Sequence, residues 1–226
     1  VWGSADVVAG DVDGLPMATH LVVEPARVSP ADFTDGARHR AALPGVYNRY
    51  QRTAADPLHD PDNEAIQAIF VPLFVTSFVL DDYLADQQHF GADRVIISSA
   101  SSKTSADTAR CASRRDGARP RIVGLTSPPR VEFVTDLGCD DEVLTYDDIG
   151  SMEPSVRSVF VDVAGDALVR RAVQEHLGEH LAVSLTVGMT HWDALDVDGV
   201  LPGPEPQGFF APTQIEKRMR EWGRDG

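Results

Sequence analysis

From Arg94 onward the chain alternates short apolar runs with helical stretches, and this alternation constrains the fold more than any other feature. Arg94-Val-Ile-Ile97, Arg121-Ile-Val-Gly-Leu125, Glu142-Val-Leu144, Ser158-Val-Phe-Val-Asp-Val163 and Leu181 to Val187 read as strands. Between them, Thr104 to Arg115 carries small residues at helical spacing, Val131 to Leu137 is a helix closed by Gly138, and Asp166 to Leu177 is another. Strands apolar on both faces, separated by helices, need a parallel sheet covered on both sides. The expected fold is therefore α/β with a Rossmann-type parallel sheet.

The flanks are less regular. Residues 1 to about 60 read as β-rich, with short strands at Val7-Val8 and His20-Leu21-Val22-Val23. A mixed aromatic and polar cluster follows at Leu43 to Tyr50, turning at Pro44-Gly45. Asp60-Pro61-Asp62 predicts a helix start, with Asp at the cap and Pro just inside. The helix is expected to break at Pro72, where a second begins and runs to about Asp86. Pro212 to Trp222 forms a last, amphipathic helix.

Charge narrows the partners. With 35 acidic against 20 basic residues the net charge is −15, which repels phosphodiester backbones and anionic headgroups and predicts no nucleic-acid or membrane partner. Any phosphate must then be held by local geometry. Two cysteines, Cys111 and Cys139, suit neither a disulfide framework nor a four-cysteine zinc site. The longest apolar run, Ala68 to Leu80, contains Pro72 and is too short to span a bilayer, so a cytoplasmic setting is expected. The chain opens at Val1 inside a strand-like pattern, as a piece of a longer protein would.

The turn after the first strand of the series reads Ser98-Ser-Ala-Ser-Ser-Lys-Thr-Ser105. In a doubly wound sheet this turn holds pyrophosphate at a helix N-terminus. It lacks the glycines of the usual fingerprint, but its residues are small, its hydroxyls can donate, and Lys103 adds positive charge. The same serines would equally suit a helix cap. At the end of the second strand, NAD-selective sheets carry an acid for the ribose hydroxyls. Here Thr126-Ser127-Pro-Pro-Arg130 stands instead, which admits a 2′-phosphate with Arg130 as its partner and favours NADP(H), unless Arg130 is simply solvated. His191, past the fifth strand, falls at the carboxyl edge where ligands bind, or packs beside Trp192.

Several strings carry a resemblance. Arg94-Val-Ile-Ile-Ser-Ser-Ala-Ser-Ser-Lys-Thr104, Gly124-Leu-Thr-Ser127, Leu137-Gly-Cys-Asp-Asp-Glu-Val-Leu-Thr-Tyr146 and Val161-Asp-Val-Ala-Gly165 resemble the zinc-independent medium-chain dehydrogenase/reductase superfamily, nearest its quinone oxidoreductase and enoyl reductase branch. Tyr47-Asn-Arg-Tyr-Gln51, Val187-Gly-Met-Thr-His-Trp192 and Phe209-Phe-Ala-Pro212 narrow this to a bacterial domain-of-unknown-function family related to it. The resemblance implies that Ser99, Ala100, Ser101, Ser102, Lys103 and Thr104 form the pyrophosphate loop. It further implies that Thr126, Ser127 and Arg130 hold the adenosine 2′-phosphate with Tyr146 near it. Thr76 would lie near the nicotinamide end, and Val187, Gly188 and Thr190 would line the cofactor beyond the fifth strand. It implies a partial GroES-like, β-rich catalytic domain over residues 1–62, a dinucleotide-binding domain over 63–192, and a return of 193–226 to the catalytic domain. A homodimer formed by edge-to-edge sheet extension would follow too.

No spare Cys and His set exists for the superfamily's zinc, so no metal is expected. Hydride transfer without a metal needs an oriented nicotinamide and a donor where negative charge develops on oxygen. Tyr47 and Tyr50, with Asn48 between them, are the candidate catalytic residues, though both rings could serve only to pack the cleft. Cys139 is expected to be a buried hydrophobe, and Asp162 a structural hydrogen-bond acceptor. The expected function is an NADPH-dependent reductase acting on an activated double bond or carbonyl of a small organic molecule. The alternative is a non-catalytic relic that binds a ligand or partner.

Overall fold

The computed structural model describes residues 21–187 and 201–223. The chain divides into two compact units, Val1–Val71 and Pro72–Gly226.

In the first unit three short strands, β1 (Pro25–Ala26), β2 (Asp32–Asp35) and β3 (Arg49–Gln51), form an antiparallel sheet in that order. Leu21–Val23, expected as the end of a strand, are outside any strand. Pro44-Gly45 does turn the chain, into the 3₁₀ segment Gly45–Asn48. A second 3₁₀ segment, Pro61–Asn63, is capped by Asp60, whose carboxylate accepts from the Asp62 N–H at 3.0 Å.

From there runs α1 (Glu64–Asp86), continuous through Pro72. The predicted break at Pro72 is not found. The turns after the proline bury Ser77, Val79, Leu80 and Leu84, and that packing outweighs the loss of one helical N–H. With its leading turn, Pro61–Asp86 is long and apolar enough to cross a membrane by length and composition, its most apolar 18-residue stretch having a mean hydropathy of 1.6. The apolar run alone is expected to fall short of that length, but the helix extends well beyond it.

The second unit is built on β4 (Arg94–Ile97), β5 (Arg121–Thr126), β6 (Glu142–Thr145), β7 (Ser158–Asp162), β8 (Leu181–Thr186) and β9 (Gln207–Gly208). All pairs are parallel and the order is β6-β5-β4-β7-β8-β9, so the winding reverses between β4 and β7. The connecting helices are α2 (Lys103–Ser113), α3 (Val131–Leu137) and α4 (Ala167–Leu177), with α5 (Ala211–Trp222) at the end. Gly138 stops α3 at φ 63°, a left-handed conformation that costs glycine little.

Alternate strand residues supply two cores. Val95, Ile97, Ile122, Val159 and Val161 pack with Leu80 and Leu84 of α1 and Ala109 of α2. Ile96, Val123, Leu125 and Phe160 pack on the other side with Val169, Val173 and Leu177 of α4. Both sheet faces are covered, as continuous apolar strands require.

The described tail falls within the second unit. Leu185 and Thr186 of β8 pair with Gln207 and Gly208, and α5 binds α1 through Gln214 and Arg218, which reach Asp82 at 2.6 and 2.7 Å. Lys217 also bonds Asp86.

Candidate functional site

Parallel strands put the ends of β4, β5, β6, β7 and β8 at one edge of the sheet. The turns Ser98–Ser102, Ser127–Arg130 and Val163–Asp166, and Tyr146, therefore gather there. The β4/β7 reversal lies at this edge, the usual ligand position in such sheets.

Ser98 is fully buried. Its hydroxyl donates to Asp162 Oδ1 at 3.0 Å and accepts the N–H groups of Val163 at 2.9 Å and Ala164 at 3.2 Å. Asp162 Oδ1 also accepts the Gly165 N–H at 2.9 Å, while its Oδ2 has Arg170 at 3.6 Å and no hydrogen bond. Burial pushes the Asp162 carboxyl above its usual range, against the pull of these donors. The expected structural role of Asp162 thus amounts to locking the β4 turn onto the β7 turn.

Ser99 adopts φ 53°, the left-handed conformation in which a glycine normally serves. The glycine-free loop therefore keeps the glycine's backbone. Ser102 is the N-cap of α2, accepting from the Ser105 N–H at 3.3 Å and donating to Ser105 Oγ at 2.9 Å, while Ser105 Oγ donates to the Ser98 carbonyl at 2.8 Å. The capping role thus holds for Ser102. The hydroxyls of Ser99 and Ser101 make no hydrogen bond among the described residues, so these two are available to an incoming oxygen. Lys103 is exposed at the first position of α2. Thr104 lends its carbonyl to Ser77 Oγ at 2.9 Å, fastening α2 to α1.

Ala100 is buried and its N–H donates to the Leu125 carbonyl at 2.9 Å. A side chain at its neighbour Gly124 would force a shift: a Cβ there would lie 2.7 Å from Asp140 Oδ1 and 3.0 Å from Ala100 Cβ. Asp140 Oδ1 is buried with no hydrogen bond. Desolvation, helped by Asp141, lifts this carboxyl to about 7. Cys139 is buried, as expected.

At the end of β5, Thr126 is buried, Ser127 precedes the 3₁₀ segment Pro128–Arg130, and Arg130 is exposed with no ion pair among the described residues. Tyr146 follows β6, half-buried against the second core. Its hydroxyl accepts the Ser99 N–H at 3.1 Å. Burial raises this phenol, and nearby Asp166 and Asp162 add to the shift, while the Ser99 bond opposes it. Val187 extends β8, its N–H donating to the Asp162 carbonyl at 2.9 Å. Gly188, Thr190 and His191 lie outside the described residues. Thr76 Oγ1 donates back to the Pro72 carbonyl at 2.8 Å.

The first unit holds the predicted catalytic group. Asn48 is buried and both halves of its amide are engaged: Arg40 Nε donates to Oδ1 at 3.0 Å, and Nδ2 donates to the Arg40 carbonyl at 3.1 Å. These two bonds hold the turn between Arg40 and Asn48. Tyr50 stacks on Phe33 at 5.0 Å with near-parallel rings. Tyr47 is exposed.

Sequence reasoning passed over Ser98, Gly124 and Asp140. The sign of the first was an acid, Asp162, closing an otherwise apolar strand. Among the described residues no three of His, Cys, Asp or Glu are grouped to hold a metal ion.

The six-stranded parallel sheet with its reversal at β4/β7 gives the second unit a Rossmann-type fold. The chain belongs to the DUF2855 family, described as a protein of unknown function, whose model matches residues 1–226. Among solved structures, it is similar to a candidate NADPH:quinone reductase from Mesorhizobium loti at 13% identity and a TM-score of 0.55, over 86% of this chain and 56% of that one. E. coli K-12 YhdH with bound NADPH aligns at 16% identity and 0.48, over 74% and 53%. The quinone oxidoreductase of Thermus thermophilus aligns at 16% and 0.49, over 86% and 69%. The chain spans only about half the length of the first two of these structures. No curated protein matches it.

Proposed function

We propose that the chain binds NADP(H) at the carboxyl edge of its parallel sheet and is an NADPH-dependent, metal-free reductase of a small organic molecule. The observation that carries this is the left-handed Ser99, φ 53°, in a small-residue turn that ends in a capped helix, beside an exposed Arg130. Ser99, Ala100, Ser101, Ser102, Lys103 and Thr104 would hold the diphosphate, with the Ser99 and Ser101 hydroxyls and Lys103 as donors. Thr126 and Ser127 leave room where a carboxylate would repel a 2′-phosphate, and Arg130 supplies its counter-charge. Thr76, Val187, Gly188, Thr190 and His191 complete the proposed cofactor set. When bound, NADPH supplies a hydride.

The chain's own residues would then have two tasks. The Ser98–Asp162 lock keeps the β4 and β7 turns in fixed relation, so a ligand meets a prearranged edge. In the first unit, taken as a partial GroES-like domain, Tyr47 carries the exposed phenol suited to donate to a substrate oxygen, with Tyr50 as a wall and Asn48 behind it. The substrate class is an activated double bond or carbonyl. A cytoplasmic homodimer, with no nucleic-acid or membrane partner, belongs to the same proposal.

The test is a fluorescence titration with NADPH and NADH. NADPH should bind more tightly, and Arg130→Ala should lower its affinity by about tenfold or more while leaving NADH nearly unchanged. Equal binding of both nucleotides, or none of either, defeats the proposal. One observation favours the non-catalytic relic: the Ser99 N–H is already bonded to Tyr146. Binding of NADPH without its oxidation by any quinone or enone supplied would favour that second reading.

A further inference from the structure

The bond between Ser99 and Tyr146 joins residues 47 positions apart, from the turn after β4 to the residue after β6. The phenol stands within electrostatic reach of both Asp162 and Asp166, which close β7 and cap α4. It therefore reaches past the end of β5 to the turn after β4. Its ring packs against the second core. The group it occupies is the N–H of the one loop residue in the left-handed conformation.

We propose that Tyr146 sets the anion affinity of the loop by acting as its internal plug. The phenol oxygen accepts the Ser99 N–H in place of a phosphate oxygen, and an anion must displace it to gain that donor. This rests on the loop being the diphosphate site proposed above. It reverses the part the resemblance gives Tyr146, from ligand-holding to ligand-opposing. Two features favour a neutral plug over an open site. The phenol stands in the field of Asp166 and Asp162, and an acidic chain gives a loosely held anion no long-range help. A neutral hydroxyl satisfies the half-buried Ser99 N–H without bringing charge into that field.

Tyr146→Phe keeps the ring and removes only the acceptor. Amide hydrogen exchange at Ser99 should be slow in the wild type and at least about tenfold faster in Tyr146→Phe. Inorganic pyrophosphate, followed by the Ser99 amide shift, and NADPH, followed by fluorescence, should each bind about three- to tenfold more tightly to the variant, the gain from one released hydrogen bond. Weaker or unchanged binding in Tyr146→Phe, or equal Ser99 exchange in both proteins, overturns the plug. So does a Ser99 amide that pyrophosphate moves in neither. If pyrophosphate moves Ser99 in the variant while NADPH binds neither protein, the plug stands and the nucleotide proposal fails. Tyr146→Leu, read by the same exchange and pyrophosphate measurements, covers the case in which the phenylalanine variant does not fold.

Discussion

Ser98 and Asp162 meet at the ends of adjacent strands, hydroxyl to carboxylate at 3.0 Å, and both are wholly shielded from solvent. The serine is also the acceptor for the Val163 N–H, so one small side chain satisfies groups on two turns. Ser98→Ala leaves Asp162 Oδ1 with the Gly165 N–H alone and deprives Val163 of its acceptor. A loss of about 2–4 kcal/mol is expected on urea unfolding, because buried groups are orphaned rather than exchanged. Ser105→Ala removes a hydroxyl bonded to the Ser98 carbonyl and to Ser102 Oγ, but Ser102 is half-buried and can turn to water, so the cost should be only about 1 kcal/mol. Equal losses would mean that the lock is no stiffer than an ordinary cap.

Ser99 tests the backbone of the loop separately from its chemistry. At φ 53° a residue with a Cβ carries a strain of roughly 1 kcal/mol, and a β-branched one considerably more. Ser99→Gly releases this strain but frees the unfolded chain, so stability should change by less than about 1 kcal/mol. Ser99→Val should lose about 2 kcal/mol or more. Thermal unfolding of the pair decides it. A valine variant as stable as the glycine one would place the left-handed turn elsewhere.

What the sequence revealed follows the range of the forces involved. β4 was readable to the residue, because Arg94–Ile97 is buried throughout and a doubly covered strand needs an unbroken apolar run. Gly138 announced the end of α3 for a local steric reason. The α1 helix was misjudged because Pro72 is a local signal, whereas the burial of Val79, Leu80 and Leu84 that carries the helix onward is tertiary. β9 was missed because Gln207–Gly208 has no apolar pattern; it pairs only through backbone with the edge of β8. Leu21–Val23 shows the reverse error, apolar residues with no strand to join.

At the site, the loop and Arg130 could be located from strand order alone. The conformation of Ser99 could not, since serine gives no sign of positive φ. Nor could its bond to Tyr146, which depends on three strands lying side by side. The commitment of Asn48 to Arg40 was equally hidden: an amide between two tyrosines reads the same whether it faces a cleft or a turn.

Gly124→Ala should show how tightly the loop is supported from below. Its added Cβ would press on Asp140 Oδ1 at 2.7 Å and Ala100 Cβ at 3.0 Å. The carboxylate can rotate, but Ala100 is held by the Leu125 carbonyl, so relief must come partly from the loop. A destabilisation of about 1–3 kcal/mol is expected. Double variants with Asp140→Ala should recover part of it, by the logic of a mutant cycle. Full additivity would show that the carboxyl is not the obstacle.

Asp140 itself gives the chain a pH signature. Its carboxyl is lifted to about 7, chiefly by desolvation, while in the unfolded chain it titrates near 4. Between about pH 4 and pH 7 the folded chain holds a proton that the unfolded chain has released, so stability falls as pH rises through that window. Below it both states are protonated, and above it both are ionised. The cost is then fully present and flat. Asp140→Asn never has to bury the charge, so at pH 8 it should exceed the wild type by roughly 2 kcal/mol, a figure reduced because the residue is only partly buried. At pH 4 the two should unfold at nearly the same urea concentration. Paired urea curves at the two pH values decide the matter, since only a titrating Asp140 makes the gain pH-dependent. A variant less stable than the wild type at pH 8 would mean instead that the ionised carboxylate is a needed acceptor beneath the loop.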